Sequence, residues 1–156
     1  WLTQLLVTER VIAREAAALG VTVTATTPGE DEVLPDLTAR LEIGSIAAAV
    51  LAVPLARAVF DHITGDVAVD EAAVADHHAR NPRRFAPSRG TGGWLLPGPT
   101  PALDEVRPHI AALLRGAARR LAFRRWLDAR RAELVWLAPG YEHPGDPRQP
   151  DNTHKH

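Results

Sequence analysis

The chain has 156 residues, 46% hydrophobic and 24% charged, which is the composition of a folded globular protein with one domain. A formal net charge of -1 provides no global attraction to nucleic acid or to an acidic membrane. Because the chain has no cysteine, disulfides, thiolate zinc sites and a cysteine nucleophile are excluded. It also has no methionine, so we expect that a piece of the protein precedes Trp1. An export signal could lie on that piece; without one, the cytoplasm is the favoured compartment.

The first part of the chain predicts several helices. Apolar residues recur at three- and four-residue intervals over residues 2–19 and predict an amphipathic helix that ends at a glycine. The β-branched stretch VTVTATT after it predicts extended backbone. A short helix is expected around residues 36–42. The most apolar stretch, residues 45–63, is too short for a bilayer span and contains Pro54 and Arg57, so it predicts a buried central helix.

Two further helices are predicted beyond this apolar stretch. Asp70 is placed to cap a helix over residues 71–80, and Pro82 ends that helix because the residue before a proline avoids helical angles. Residues 86–103 are dense in Gly and Pro and predict a connector. A long helix is expected from about residue 105 to about residue 135.

These elements predict a mainly α fold. We expect one helical domain over residues 1–138, which closes with the long helix. Residues 139–156 contain too few apolar side chains to order themselves, so we expect a His-containing tail that lies on the surface or is disordered.

The long helix carries two apolar faces. At 100° per residue, the two groups are separated by roughly 130–140°, whereas a helix on a single core keeps one stripe. The first group is Ile110, Leu113, Leu114, Ala117 and Leu121, and the second is Phe123, Trp126, Leu127 and Leu134. We therefore predict two packing environments, which are either two lobes of the chain or one lobe and a partner chain, as in a homodimer through this helix.

Three segments, in this order, resemble the SurA/PrsA-type foldases. WLTQLLVTERVIAREAAALGVTVT at the start is similar to that family's opening helix and extended segment, and VAVDEAAVADHHARNPRRF to its helix ending in N-P-x-x-F. DEVRPHIAALLRGAARRLAFRRWLDARRAEL is similar to the closing helix. The resemblance implies a SurA N-terminal-like helical module. The parvulin prolyl-isomerase domain of the family has no counterpart, because residues 86–103 are too few to form it.

The resemblance implies a chaperone-like function. In that family the helical module holds extended or unfolded chains in an apolar groove, so the expected partner is a polypeptide or a small apolar ligand. The stretch GTGGWLLP, residues 90–97, either fills such a groove or packs in the core. The candidate ligand-binding residues are Phe85, Trp94, Leu95, Leu96 and Trp126.

The alternative is an enzyme or accessory protein on the same scaffold that acts on a small molecule, with specialised metabolism as one setting. Its candidate catalytic residues are His62, His77 and His78, since imidazole titrates near neutrality. The last two are neighbours on a helix and point about 100° apart, so they are poorly placed to bind one metal. We expect one ring packed inward and one in solvent. No Ser-His-Asp spacing, phosphate loop, nucleotide fingerprint or H-E-x-x-H motif occurs, which favours the binding module over the enzyme.

The tail offers the clearest metal-binding pattern. Imidazoles and a carboxylate there could bind a divalent ion such as zinc, nickel or copper; the candidate ligands are His143, Asp151, His154 and His156. The competing interpretation is a tail without a ligand, because ordering it costs entropy. No other cofactor is indicated. The arginines between residues 115 and 131 lack interleaved aromatics and predict a solvated or salt-bridged surface, not a nucleic-acid site.

Overall fold

A computed structural model describes residues 1–86, 88–89 and 96–136, and this part of the chain is mainly helical. The helices are α1 (Leu2–Leu19), α2 (Glu30–Val33), α3 (Leu37–Ile43), α4 (Ser45–Val50), α5 (Pro54–Thr64), α6 (Glu71–Arg80) and α7 (Leu103–Leu134). Strands β1 (Ser88–Arg89) and β2 (Leu96–Pro97) form a short antiparallel ladder. The predicted mainly α fold with a long C-terminal helix is confirmed.

The helices belong to two compact units. Unit 1 consists of Trp1–Asp66 together with the chain from Arg120 onwards, and unit 2 consists of Val67–Arg119. The single domain expected over residues 1–138 stays a prediction. None of the helices in the described residues has both the length and the apolar character that crossing a membrane requires.

Helix α7 contributes to both units, as its two apolar faces predict. Ile110 is fully buried in unit 2, whereas Phe123 and Leu127 are buried in the core of unit 1. Leu121, which the helical arithmetic groups with the first face, falls in unit 1 and is 49% exposed. The two-environment prediction is therefore confirmed, with this one residue wrongly assigned.

The core of unit 1 is formed where α1 packs against α4 and α5. Phe123 lies at its aromatic centre, with ring centroids 5.3 Å from Phe60 and 5.5 Å from Trp126. Helix α1 ends as its glycine predicts, since Gly20 adopts the left-handed conformation with φ 67°. This core fixes the positions of α1 and the last turns of α7, which line the site described below.

The apolar stretch 45–63 is not one helix, and that prediction is wrong. It forms α4 and α5, separated at residues 51–53. Proline has no N–H to donate and its ring clashes with the preceding turn, so Pro54 begins a new helix instead of continuing the old one. Val53 before it is extended, at φ -83° and ψ 129°, as a residue before proline prefers.

The short helices α2 and α3 are fixed by capping. Glu32 accepts a hydrogen bond from the backbone N–H of Gly29 at 3.2 Å, which closes the start of α2, a helix that the sequence patterns do not predict. The predicted helix around 36–42 is confirmed as α3, and Asp36 caps it by accepting from the N–H of Ala39 at 2.8 Å.

One arginine of α7 is buried, not solvated. Arg120 is 7% exposed, and its Nε and Nη2 donate to Oε2 of Glu42 at 3.0 and 2.7 Å. Its Nη1 donates to the carbonyl of Val33 at 3.4 Å. The ion pair connects α7 to the α2–α3 region inside unit 1, so Arg120 is salt-bridged, as one of the two predicted alternatives has it, but it is buried and does not lie on the surface.

In unit 2, α6 follows its predicted bounds. Asp70 accepts a hydrogen bond from the N–H of Ala73 at 2.6 Å and caps the helix. Asn81 ends it: its amide side chain donates to the carbonyl of His77 at 2.9 Å. The connector predicted over residues 86–103 falls partly outside the described residues.

Candidate functional site

An apolar cleft lies within unit 1, between α1 and the end of α7. Its volume is about 320 Å³, and its lining residues are Val7, Arg10, Val11, Arg14, Leu134, Val135 and Trp136. Near it, the Arg131 guanidinium donates to Oε1 of the buried Gln4, which connects the two helices. We call this feature the α1–α7 cleft.

The α1 side of the cleft changes from apolar to charged. Val11 is buried and Val7 is half-buried, whereas Arg10 and Arg14 are exposed. At 100° per residue these four side chains follow one another around a single side of the helix. The α1 side therefore has an apolar floor and a cationic rim.

The α7 side of the cleft is apolar throughout. Leu134 and Val135 are half-buried and pack against the core of unit 1. Trp136 is 84% exposed. An indole is the largest apolar side chain and is favourably buried in a partner. The cleft thus offers one large apolar side chain that the described part of the chain leaves in solvent.

A second groove in unit 1 is more polar and contains His62. Its volume is about 350 Å³, and its lining residues are Leu19, Gly20, Val21, Thr22, Thr24, Thr26, Thr27, Ala58, Asp61 and His62. The stretch predicted to be extended forms part of this groove. It forms no strand, and its last four residues make a turn in which the N–H of Thr27 donates to the carbonyl of Thr24 at 3.1 Å. His62 is exposed at the end of α5.

His77 and His78 are both half-buried in unit 2, so the expectation of one ring in solvent is wrong. The turn after α6 brings Phe85 back against His77, with ring centroids 6.0 Å apart. The same phenyl ring lies 5.6 Å from the ring of His109, edge to face. The other histidine has its Nε2 3.0 Å from the carbonyl oxygen of Pro101.

These contacts limit what the paired histidines can do chemically. The Nε2 atom of His77 is enclosed and has no hydrogen-bond partner among the residues that the structure describes, so a substrate cannot reach it in this conformation. Nε2 of His78 is occupied by a backbone carbonyl. The pair therefore resembles a packing cluster more than an acid–base site, although the catalytic assignment of both residues, like that of His62, stays a prediction.

The metal-site prediction is not tested by the geometry. Within residues 1–86, 88–89 and 96–136, no three His, Asp or Glu side chains come together in a way that could hold an ion. The candidate tail ligands lie outside the described residues; they are His143, Asp151, His154 and His156.

The five predicted ligand-binding residues do not form one described site. Phe85 belongs to unit 2, and Trp126 to unit 1, where it packs half-buried against the core. Trp94 and Leu95 lie outside the described residues, and Leu96 is in β2. Their assignment stays a prediction.

Arg10, Arg14 and Trp136 are the site residues that the sequence patterns do not single out. The cleft brings together positions more than a hundred residues apart in the chain, so no local spacing in the sequence could indicate it. Comparison with known protein families, curated proteins and solved structures gives no match to this chain.

Proposed function

We propose that this protein is a chaperone-like binding module that holds an extended, apolar polypeptide segment in the α1–α7 cleft. The exposed indole of Trp136 beside an apolar floor carries the proposal. Covering that indole with a client side chain removes apolar surface from water, which favours binding by about 25 cal/mol per Å². Aromatic side chains of this kind dominate the energetics of protein interfaces.

The resemblance to the SurA/PrsA-type foldases supports the same function. It covers α1, α6 and α7, and α1 and α7 are the two helices that line the cleft. In this proposal the chain is a foldase-like scaffold without an isomerase core, and holding the client is its whole activity. The peptide lies between two helices, a common arrangement for apolar recognition.

The enzyme alternative has weaker support. Among the described residues, His62 beside its polar groove is the candidate whose ring is exposed to a ligand. The enclosed nitrogen of His77 and the occupied nitrogen of His78 do not favour it.

Two assays test the proposal. The first uses light scattering to measure whether the protein suppresses the aggregation of a chemically unfolded client. The second measures binding of a labelled apolar peptide. Trp136→Ala should weaken peptide binding about ten-fold or more, the loss expected for an aromatic at the centre of an interface. Trp1→Ala is the matched control, because Trp1 is also exposed, at 61%, but does not line the cleft.

Two outcomes would contradict the proposal. One is a protein that neither binds the peptide nor delays aggregation. The other is equal loss of binding in both tryptophan variants, which would indicate non-specific adhesion. Unchanged helical circular dichroism in both variants excludes misfolding as the cause of a loss.

A further inference from the structure

Within the described part of unit 1, Arg10 and Arg14 lack acidic partners, although other arginines there have them. Arg40 pairs with Glu30 at 2.7 Å and Arg120 with Glu42 at 2.7 Å. Among the described residues, no carboxylate lies within ion-pair distance of either cleft arginine.

The sequence of α1 supplies no acidic partner within the helix itself. Helix neighbours lie three and four residues apart, and the positions at those distances from the two arginines hold Leu, Val, Ala and Arg but no Asp or Glu. The two arginines are themselves four residues apart, and such a like-charge pair destabilises a helix. Two exposed like charges at this spacing cost the helix a little stability and leave both guanidinium groups able to pair with acidic groups of a ligand.

The spacing of the arginines matches an extended chain. Side chains one helical turn apart have Cβ atoms about 5–6 Å apart. In an extended peptide, residues i and i+2 are about 6.6 Å apart and point to the same side. Two carboxylates at alternate positions can therefore each meet one guanidinium.

The α7 side of the cleft indicates which client residues suit the positions between the two carboxylates. In an extended chain, alternate side chains point in opposite directions. When one set faces Arg10 and Arg14, the other set faces Leu134 and Trp136, both of which are apolar. Apolar side chains suit that side.

We propose that the preferred client of the α1–α7 cleft is an extended segment in which acidic and apolar residues alternate. This inference rests on the proposed function and names the class of polypeptide that it binds. The carboxylates pair with Arg10 and Arg14, and the apolar side chains pack on Leu134 and Trp136.

The experiment measures fluorescence anisotropy of three labelled peptides with the full chain. The first alternates Leu and Glu, the second has Gln in place of each Glu, and the third has the first one's composition with all Leu residues grouped together. The protein variants are Arg10→Gln/Arg14→Gln and a control with the same change of charge, Arg83→Gln/Arg84→Gln, whose arginines are exposed in unit 2.

The wild type should bind the alternating acidic peptide about five-fold more tightly than its Gln twin, which corresponds to about 1 kcal/mol from two solvent-exposed ion pairs. Higher ionic strength should reduce this preference, because salt screens exposed charges. Arg10→Gln/Arg14→Gln should abolish the preference, leave binding of the Gln twin unchanged, and leave the melting temperature unchanged or higher. Arg83→Gln/Arg84→Gln should keep the preference.

The inference is overturned if wild type binds the acidic peptide and its Gln twin alike, or if the grouped peptide binds as well as the alternating one. It is also overturned if the control variant loses the preference, since net charge alone then explains it. Binding of the Gln twin without an acidic preference leaves the proposed function standing, whereas failure of all three peptides to bind contradicts the proposed function itself.

Discussion

Unit 1 and unit 2 are both built from helices, but they bury very different sets of side chains. Unit 1 has an extended apolar core that includes Leu34, Leu51, Phe60 and Phe123. In unit 2, the apolar side chains buried among the described residues are Val74 and Ile110. Burial of apolar surface is the main stabilising term in folding. We infer that unit 1 carries most of the stability and that unit 2 opens at lower cost.

Polar contacts also connect the elements of unit 2. Arg107 pairs with Glu71 and, at 2.7 Å, with Asp104, so one guanidinium connects α6 to α7. Arg115 donates to the carbonyl of Val67 at 2.9 Å. Exposed ion pairs contribute about 0–1 kcal/mol each. Two units built from similar helices therefore differ in their expected stability.

The largest expected effect is in the core of unit 1. Phe123→Ala removes a fully buried ring that contacts Phe60 and Trp126, and should lower the free energy of unfolding by about 3–5 kcal/mol. Chemical denaturation followed by circular dichroism measures it. Leu121→Ala, two residues earlier and half exposed, is the control and should cost about 0.5 kcal/mol or less. Similar losses in the two variants would contradict the description of this core.

A smaller and more local effect is expected in unit 2. Ile110→Ala empties a fully buried position with few buried neighbours, and should cost about 2 kcal/mol, the low end for such a change. Amide hydrogen exchange should show faster exchange in α6 and the first half of α7, with α1 and α5 unaffected. If α1 and α5 lose protection equally, the two units unfold together and the comparison fails.

The smallest effects are expected when a helix cap is removed from each unit. Asp36→Ala and Asp70→Ala each remove a side-chain acceptor from the first turn of a helix, at about 1 kcal/mol. We expect the first change to lower the midpoint of global denaturation. The second should instead accelerate exchange within α6 while the midpoint stays nearly constant. A global shift from Asp70→Ala would show that unit 2 contributes more than its two buried side chains suggest.

Local patterns predict those parts of the fold whose cause is local. Helices α1, α6 and α7 follow from apolar periodicity, the Asp70 cap and the stop before Pro82. The break between α4 and α5 could also have been predicted, because Pro54 stood in the middle of the proposed helix. Helix α2 has only four residues and too little periodicity to be recognised.

The candidate site could not be predicted from the sequence, and the reason is physical. Val7 and Leu134 come together only through the packing of unit 1, and nothing in either segment specifies the other. Arg120 shows the same limit: it is one of several arginines in α7, and its sequence neighbourhood does not show that it lies buried against Glu42. Tertiary packing decides which side of a polar helix is covered.

The division of α7 between the units has a consequence for synthesis on the ribosome. All of unit 2, Val67–Arg119, is contiguous in the chain, so it can fold as soon as it has emerged. Unit 1 begins earlier but lacks Phe123 and Leu127 until α7 is almost complete. Residues 1–66 therefore cannot complete their apolar core until the more weakly packed unit has been made. Of the two units, the one whose chain begins earlier is thus the one that completes its core later.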